Sequence, residues 1–253
     1  MNDQYSRIAI VTGVTSGIGE ATARKFTASG FGVIGNARNA TKLRTLEQEL
    51  GTVFHGIAGD ATDSKLLENL FESAIKHFGK PADIIVANAG RGLSGSVKDA
   101  DLSSFEEVLK LNVTGTLTLL QKAAKKMVDN QQSNYPKQAR DIVIIGSVVG
   151  RYISPFSAIY GATKFAVHSL AEGLRREMGP KGIRVSLVEP GIVISGFQEA
   201  AGYSDGLIQN FENRFGPLLH GEDIANAIHY IVTQAPHVHI SDIMVRPTRQ
   251  DYP

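Results

Sequence analysis

Short apolar runs rich in β-branched residues recur along the chain and predict the strands of a buried sheet. They lie at residues 8–11, 32–35, 52–57, 83–90, 141–147, 183–191 and 240–245. Segments with helical periodicity lie between them, among them 17–29, 62–78, 102–129, 157–179 and 221–234. Strands that alternate with helices and are apolar along their whole length indicate a parallel sheet covered on both faces. The predicted fold class is α/β, with a doubly wound, parallel, seven-stranded sheet and helices on both faces.

Two segments depart from this alternation within an otherwise continuous pattern. The chain has no internal repeat and no linker rich in proline, glycine or serine, so we expect a single domain over residues 1–253. The polar stretch 129–141 is long for a helix-to-strand connection and predicts a mobile surface loop. Region 195–220 is predicted to be an irregular lid or substrate-binding segment. Its aromatic residues, spaced between turn residues, are Phe197, Tyr203, Phe211 and Phe215.

Composition narrows the class of protein. Of the 253 residues, 42% are hydrophobic and 20% are charged, and the formal net charge is +1. This balance provides no basic field for nucleic acid or for an acidic membrane surface. The absence of cysteine excludes disulfides, thiolate nucleophiles and cysteine-ligated metals. No apolar stretch has the length of a signal-peptide core or a membrane span, so we expect a cytoplasmic, metal-independent enzyme or binding protein.

The stretch "VTGVTSGIGEAT", residues 11–22, joins the first predicted strand to the first predicted helix. Gly13, Gly17 and Gly19 stand there in the pattern T-G-x-x-x-G-x-G. Glycine adopts positive φ without steric cost, and its lack of Cβ lets a ligand approach the backbone. The helix that follows offers free N–H groups and the positive end of its dipole. The turn therefore predicts a site for the pyrophosphate of a dinucleotide; the alternative is a tight turn without a ligand.

The end of the second strand, "GVIGNARNATKL", indicates which dinucleotide binds. A carboxylate at this place accepts from a bare ribose 2′-OH, whereas an arginine accommodates a 2′-phosphate. Arg38 stands there between Asn36 and Asn39, with no acidic residue in the stretch. A guanidinium binds phosphate in a bidentate manner, so Arg38 favours NADP(H) over NAD(H). The alternative is that Arg38 is a solvated surface charge at the start of the second helix.

The stretch "YGATK" places Tyr160 and Lys164 four residues apart in a predicted helix, so both side chains lie on one face. A phenol, with an ordinary pKa near 10, needs a nearby cation before it can act as a base at neutral pH. Ser147 ends the fifth predicted strand, at the sheet edge where open α/β folds bind ligands. Its hydroxyl is placed to hold a carbonyl or alcohol oxygen. Taken singly, such residues also occur as surface decoration and as a helix cap.

Together these motifs resemble the short-chain dehydrogenase/reductase family, in its classical subtype, over nearly the whole chain. The stretches that carry the resemblance are "TGVTSGIG" (12–19), "GDATD" (59–63), "ANAG" (87–90), "LNVTG" (111–115), "GS" (146–147), "YGATK" (160–164) and "EPGIVIS" (189–195). Ala87 departs from the Asn that the family most often has, and Ser195 replaces Thr while keeping a hydroxyl. The resemblance implies one Rossmann-type dinucleotide-binding domain. Its implied cofactor-binding residues are Gly13, Thr15, Ser16, Gly17, Ile18, Gly19, Arg38, Asp60, Ala61, Asn88, Ala89, Gly90, Tyr160, Lys164, Pro190, Gly191, Val193 and Ser195.

The resemblance also implies the roles of four catalytic residues. Tyr160 is the general acid/base, and Lys164 binds the nicotinamide ribose and stabilises the phenolate. Ser147 orients and polarises the substrate oxygen. Asn112 extends a proton relay from Lys164 to solvent through a water; alternatively, its amide bonds backbone inside a helix. Family members are commonly tetramers built through two long helices, so we expect a homo-oligomer.

Two arginines and the C-terminal stretch bear on the substrate. Arg91 and Arg151 are expected near the mouth of the pocket, where they would pair with a carboxylate such as that of a small 3-hydroxy acid. The alternative is that both are rim charges. Residues 235–253 are also similar to the corresponding region of NADP-dependent 3-hydroxy acid (serine-type) dehydrogenases of the family.

The sequence thus predicts an NADP(H)-dependent oxidoreductase that transfers a hydride between nicotinamide and a secondary alcohol or carbonyl substrate. That substrate is a ketone, an aldehyde or a small 3-hydroxy acid. One alternative is a non-enzymatic redox sensor that binds the dinucleotide on the same fold, against which the intact set of Ser147, Tyr160 and Lys164 argues. Another is a lyase like the halohydrin-eliminating relatives, which lose the glycine turn and replace the lysine by arginine.

Overall fold

The computed structural model describes residues 5–131, 134–202 and 204–253. Seven parallel strands form one sheet in the order β3-β2-β1-β4-β5-β6-β7. The strands are β1 (Ile8–Thr12), β2 (Gly32–Ala37), β3 (Phe54–Ala58), β4 (Ile84–Ala87), β5 (Asp141–Ile145), β6 (Arg184–Pro190) and β7 (Asp242–Val245). Each predicted apolar run overlaps one of these strands, although the runs at 8–11, 32–35 and 52–57 stop one or two residues before the strand ends. The predicted α/β class and the parallel, seven-stranded sheet are confirmed.

Helices cover both faces of the sheet because strand residues alternate in direction. The helices are α1 (Gly17–Ala28), α2 (Ala40–Leu50), α3 (Ser64–Phe78), α4 (Phe105–Leu109), α5 (Thr116–Gln131), α6 (Ala158–Met178), α7 (Phe197–Ala200), α8 (Asp205–Phe215) and α9 (Gly221–Val232). On one face, Ile8 and Ile10 pack with apolar residues of α3, α5 and α6. On the other, Ala9 and Val11 pack with α1, α2 and α9. Both faces of the central strands are therefore buried in a core.

The order of the strands places a ligand crevice at one edge of the sheet. β1 pairs with β2 on one side and with β4 on the other. The chain therefore reverses its direction of winding between β1 and β4. Open α/β sheets bind ligands in the crevice that such a reversal opens at the carboxyl ends of the strands.

Three predicted segments differ in detail from the structure. The helical stretch predicted at 102–129 is interrupted by a π-helical turn over Lys110–Gly115. Region 195–220 is not irregular throughout, because it contains the helix α8. Ser204 caps this helix by accepting from the N–H of Leu207. Stretch 129–141 begins as the end of α5, whose buried Gln131 donates to the carbonyls of Gln138 and Gly182.

A buried ion-pair network joins four strands at their amino ends. Asp141 accepts from Arg184 at 2.7 and 2.9 Å and from Arg7 at 2.8 Å. Arg7 also reaches Asp83, whose pKa is raised because burial outweighs the attraction of the guanidinium. Since β1, β4, β5 and β6 each begin at one of these residues or next to it, the network fixes the relative positions of their ends.

Within the described ranges, no helix combines the length and apolarity needed to cross a membrane. The same ranges contain no group of three or more His, Asp or Glu side chains arranged to hold a metal ion.

Candidate active site

A cavity of about 1130 Å³ lies along the carboxyl ends of the strands. It extends from the glycine turn, past the first turns of α6, to α8 and the segment 250–253. All but two of the predicted site residues line it. Those lining residues are Gly13, Thr15, Ser16, Gly17, Ile18, Arg38, Asp60, Ala61, Asn88, Ala89, Gly90, Ser147, Tyr160, Lys164, Pro190, Gly191, Val193 and Ser195. The two exceptions, Gly19 and Asn112, lie behind the wall.

The glycine turn takes the conformation that its sequence predicts. Gly13 and Gly17 have φ of 73° and 53°, a region that favours glycine. A Cβ at Gly19 would lie 2.1 Å from the carbonyl oxygen of Gly13, so Gly19 lets the helix pack onto the turn. The side chain of Ser16 makes no cap hydrogen bond at the start of α1, which leaves the first N–H groups of the helix for a ligand.

Asn88 braces this turn from the neighbouring strand. Its amide Nδ2 donates to the carbonyl oxygens of Thr12 at 2.8 Å and Gly13 at 3.3 Å. The hydroxyl of Thr12 in turn accepts from the backbone N–H groups of Asn88 and Ala89. The ends of β1 and β4 are thereby locked together at the floor of the cavity.

Arg38 and Asp60 lie at the far end of the cavity, beyond β2 and β3. Both are exposed. The backbone N–H of Thr62 donates to Asp60 at 2.8 Å and, with help from Arg38, holds the pKa of that carboxyl below its usual range. Asn39 caps α2 by accepting from the N–H of Lys42, which leaves Arg38 directly before the helix. This end of the cavity combines a guanidinium with an ionised carboxylate.

Tyr160 and Lys164 share one face of α6 and are both buried, at 8% and 6% exposure. The Lys164 ammonium nitrogen lies 5.8 Å from the centroid of the Tyr160 ring and donates to the carbonyl oxygen of Ile145 at 2.8 Å. Burial lowers the pKa of Lys164 to about 8. The side chain is therefore mostly protonated at pH 7, and the ring has a cation beside it.

Ser147 lies at the end of β5, where a one-turn 3₁₀ helix begins. Its hydroxyl accepts from the backbone N–H of Val149 at 3.4 Å, so both the predicted cap and the predicted position on the cavity wall are present. The ring of Tyr160 is flanked on another side by Phe197, with ring centroids 5.5 Å apart. Ser147, Tyr160 and Lys164 thus line one cavity.

Asn112 lies in the π-helical turn and is 2% exposed. Its Oδ1 accepts from the N–H of Arg91 at 2.9 Å, and its Nδ2 donates to the carbonyl of Arg91 and to the hydroxyl of Thr163. Single π-turns inside helices are frequent at functional sites. The amide therefore bonds backbone, as the alternative interpretation predicted, while the proton relay stays a prediction.

The two arginines predicted to pair with a substrate carboxylate differ in position. Arg91 lines the cavity and pairs with Glu107 at 3.2 Å. Arg151 does not line the cavity. Its guanidinium is bound by Glu189 and Asp242 instead. The expectation for Arg151 is wrong.

Sequence reasoning missed part of the cavity wall. Gln250 is buried, and its Oε1 accepts from the N–H of Ile192 in the turn that follows Pro190. Tyr252 lines the same wall and donates to the carbonyl of Ile153. No local motif signals these contacts, which join residues 58 and 99 positions apart. From the predicted lid, Phe197, Phe211 and Phe215 line the cavity, and Tyr203 lies outside the described residues.

Comparison with known proteins agrees with this geometry. The family model of short chain dehydrogenases matches residues 7–204. A serine 3-dehydrogenase of Agrobacterium fabrum is 32% identical over 245 residues, which cover 96% of this chain and 94% of that protein. Two solved structures have a TM-score of 0.86. One is the closed form of a serine dehydrogenase complexed with NADP+, at 27% identity and with 97% and 96% of the two chains covered. The other is a 3-ketoacyl-(acyl-carrier-protein) reductase from Brucella melitensis complexed with NADH, at 25% identity and with 97% and 98% covered.

The chain therefore belongs to the short-chain dehydrogenase family, and it is an oxidoreductase of that type with a Rossmann fold.

Burial of the Lys164 cation has a measurable consequence for stability. The pKa of Lys164 falls from 10.5 to about 8 on folding, so the unfolded chain binds more protons between these values. The free energy of unfolding should therefore rise with pH across that window, because the destabilisation below pH 8 is relieved as the amine deprotonates. We expect Lys164→Met to be more stable than the parent at pH 7 by about 1–3 kcal/mol and to lack this rise. Urea unfolding from pH 7 to 10 measures both effects.

Lys125→Met is the matched control, since Lys125 is an exposed lysine of α5. It should leave the pH dependence unchanged. Parallel pH profiles for the parent and Lys164→Met would contradict the assignment of a depressed pKa to Lys164.

Proposed function

We propose that the protein is an NADP(H)-dependent alcohol dehydrogenase or carbonyl reductase. The observation that carries the proposal is a shared cavity: the glycine turn lines one part of it, and Ser147, Tyr160 and Lys164 line another. A bound nicotinamide would supply a hydride to the substrate carbon in reduction or accept one from it in oxidation. The chain's own part is to position the two reactants and to handle the proton.

The residues fit a dinucleotide with a 2′-phosphate. The positive-φ glycines and the free start of α1 suit a pyrophosphate. Arg38 is the cation at the end of β2, and its neighbours Asn36 and Asn39 carry no charge that would repel a phosphate. The serine dehydrogenase structure with NADP+ supports this choice, whereas the reductase structure with NADH favours NAD(H). Ser195 lines the cavity and is proposed to hold the nicotinamide carboxamide.

Tyr160 is proposed to give a proton to the substrate oxygen during reduction and to take it back during oxidation. The ammonium of Lys164 stabilises the phenolate, and its bond to Ile145 leaves two of its three N–H groups for the nicotinamide ribose. The hydroxyl of Ser147 donates to the same substrate oxygen. Asn112 is proposed to continue the proton path from Lys164 to solvent through a water.

The substrate is proposed to be a small ketone, aldehyde or 3-hydroxy acid. Region 195–220 is its lid, because α8 supplies one wall of the cavity. The similarity to serine 3-dehydrogenases favours the 3-hydroxy acid, and Arg91 is the remaining cavity arginine from the predicted carboxylate pair. A single domain over residues 1–253, a homotetramer and a cytoplasmic location stay predictions.

An absorbance assay of the reduced cofactor tests the function. The protein is mixed with NADPH and a panel of ketones, aldehydes and 3-oxo acids, and oxidation of NADPH is followed by the loss of absorbance of the reduced nicotinamide. We expect turnover with at least one substrate of the panel. NADPH binding without turnover on any substrate would favour the redox sensor instead.

The choice of NADP(H) depends on Arg38. We expect Arg38→Ala to raise the KM for NADPH by about 10- to 100-fold, since a hydrogen bond to a charged group contributes about 1.5–3 kcal/mol. The KM for NADH should change little, because NADH has no 2′-phosphate. Arg44→Ala is the control, since Arg44 is an exposed arginine of α2 outside the cavity. A parent enzyme that works equally well or better with NADH would contradict the choice.

A further inference from the structure

A buried carboxylate lies at the carboxyl end of β6, near the proposed catalytic residues, and it takes no part in the proton transfer proposed for Tyr160. Glu189 immediately precedes Pro190 in β6, and its side chain is fully buried. Arg151 donates to both of its oxygens, at 2.9 and 2.5 Å. Burial of a charge is costly even when the charge is paired. The structural role of this pair is to fix Arg151, and the segment that carries it, against β6.

His168 lies between this carboxylate and Ser147. Its Nε2 accepts from the backbone N–H of Ser147 at 3.3 Å, and its Nδ1 lies 3.9 Å from Oε2 of Glu189. A neutral imidazole has one proton, so an accepting Nε2 places that proton on Nδ1, which faces the carboxylate. Burial, with the nearby Lys164 and Arg151 cations, lowers the pKa of His168 to about 4 and keeps the ring neutral.

The backbone around Ser147 leaves room for this ring. A Cβ at Gly146 would lie 2.4 Å from Nε2 of His168, and a Cβ at Gly150 would lie 2.5 Å from it. A side chain at either position would displace the imidazole. The segment 146–151 is thus held at one end by His168 and at the other by the pairing of Arg151 with Glu189.

We propose that Arg151, Glu189 and His168 form a bridge that sets Ser147 relative to α6 and β6, and that His168 is a positioning residue for the Ser147 hydroxyl. The proposal rests on the proposed function of Ser147. His168 does not line the cavity, so it acts on the substrate only through the backbone of Ser147.

The bridge connects the three elements that carry the proposed chemistry. His168 lies one helical turn after Lys164 on α6, and Glu189 adjoins the Pro190 turn. Because the hydroxyl of Ser147 is bound to the N–H of Val149, its direction follows the backbone that His168 holds. A displacement of about 1 Å in such a group is enough to slow a reaction by about 100-fold.

His168→Leu and His168→Gln test the proposal as a pair. Leucine removes the acceptor at similar volume, whereas the amide oxygen of glutamine can replace Nε2. We expect His168→Leu to lower kcat by about 10- to 100-fold while the KM for NADPH stays within about twofold, and His168→Gln to recover most of kcat. Hydrogen exchange of the peptide that covers 146–151 should be faster in the leucine variant than in the parent.

Specific outcomes would overturn the proposal. One is a leucine variant that keeps its kcat. Another is a joint loss of kcat and NADPH affinity that glutamine does not relieve, which indicates a merely structural role. Should the leucine variant fail to fold, Glu189→Gln is used instead: unchanged exchange in 146–151 and unchanged kcat would sink the bridge. A parent inactive on every substrate would refute the proposed function, while hydrogen exchange would still decide whether the bridge holds the segment.

Discussion

Replacement of Tyr160 by phenylalanine is expected to abolish turnover and to leave cofactor binding nearly unchanged. The substitution removes one oxygen from a ring that is 8% exposed and packed against Phe197, so the cavity keeps its shape. Proton transfer by a positioned side chain contributes about 100- to 10,000-fold to a rate. The fall in kcat should therefore be at least about 100-fold. Steady-state kinetics with NADPH and the best substrate, together with the Kd for NADPH, measures both parts of the prediction.

Tyr230→Phe is the matched control, because Tyr230 is 55% exposed on α9 and does not line the cavity. Its rate should equal that of the parent. A Tyr160→Phe variant that retains more than about a tenth of the parent rate would show that another group exchanges the proton. A large loss of NADPH affinity would instead show that the substitution disturbed the cavity.

Among the substitutions proposed for this protein, Asp141→Asn is expected to lower the free energy of unfolding most, by about 3–5 kcal/mol. Asp141 is 1% exposed and is bound by both Arg7 and Arg184. Asparagine has the same shape, but it leaves the buried guanidinium of Arg184 without a carboxylate and leaves Arg7 paired with Asp83 alone. Burial of an uncompensated charge costs far more than loss of a surface pair. Urea unfolding of parent and variant at pH 7, compared at equal m-value, measures the difference.

Asp99→Asn serves as the control at an exposed site, where the paired Lys98 side chain is 86% exposed. Its effect should stay below about 1 kcal/mol. If Asp141→Asn costs no more than this control, then the network at the amino ends of the strands contributes little to stability. The proposed catalytic residues lie at the opposite, carboxyl ends, so a destabilised Asp141→Asn variant should still turn over substrate at temperatures where it remains folded.

Elements that depend on local patterns could be predicted from the sequence. The apolar runs predict all seven strands, because the five strands from β2 to β6 in the sheet are buried on both faces and need no polar alternation, and the edge strands β3 and β7 are also rich in apolar residues. Spacing alone places Tyr160 and Lys164 on one helix face, and glycine chemistry alone predicts the positive φ of Gly13 and Gly17. Helix α8 also has local signals in the sequence: Ser204 is a good cap, and Phe211 and Phe215 stand four residues apart.

Other features depend on residues that are distant in the chain. The partner of Arg151 is 38 positions away and that of Gln250 is 58 positions away, so neither pairing has a local pattern. For the same reason the sequence alone predicts Arg151 at the substrate, whereas the fold pairs it with Glu189.

The order of hydrophobic and polar residues by itself determined the parallel sheet, the glycine turn and the shared face of Tyr160 and Lys164. These follow from backbone sterics and from periodicities of two and 3.6 residues, which act over a few positions. Only the tertiary structure decided that His168 reaches Ser147, that Asn112 holds Arg91, and that residues of segment 250–253 line the cavity. Packing brings these groups together as the chain folds. Hydrogen bonds between residues that are far apart in the sequence leave no trace in local composition.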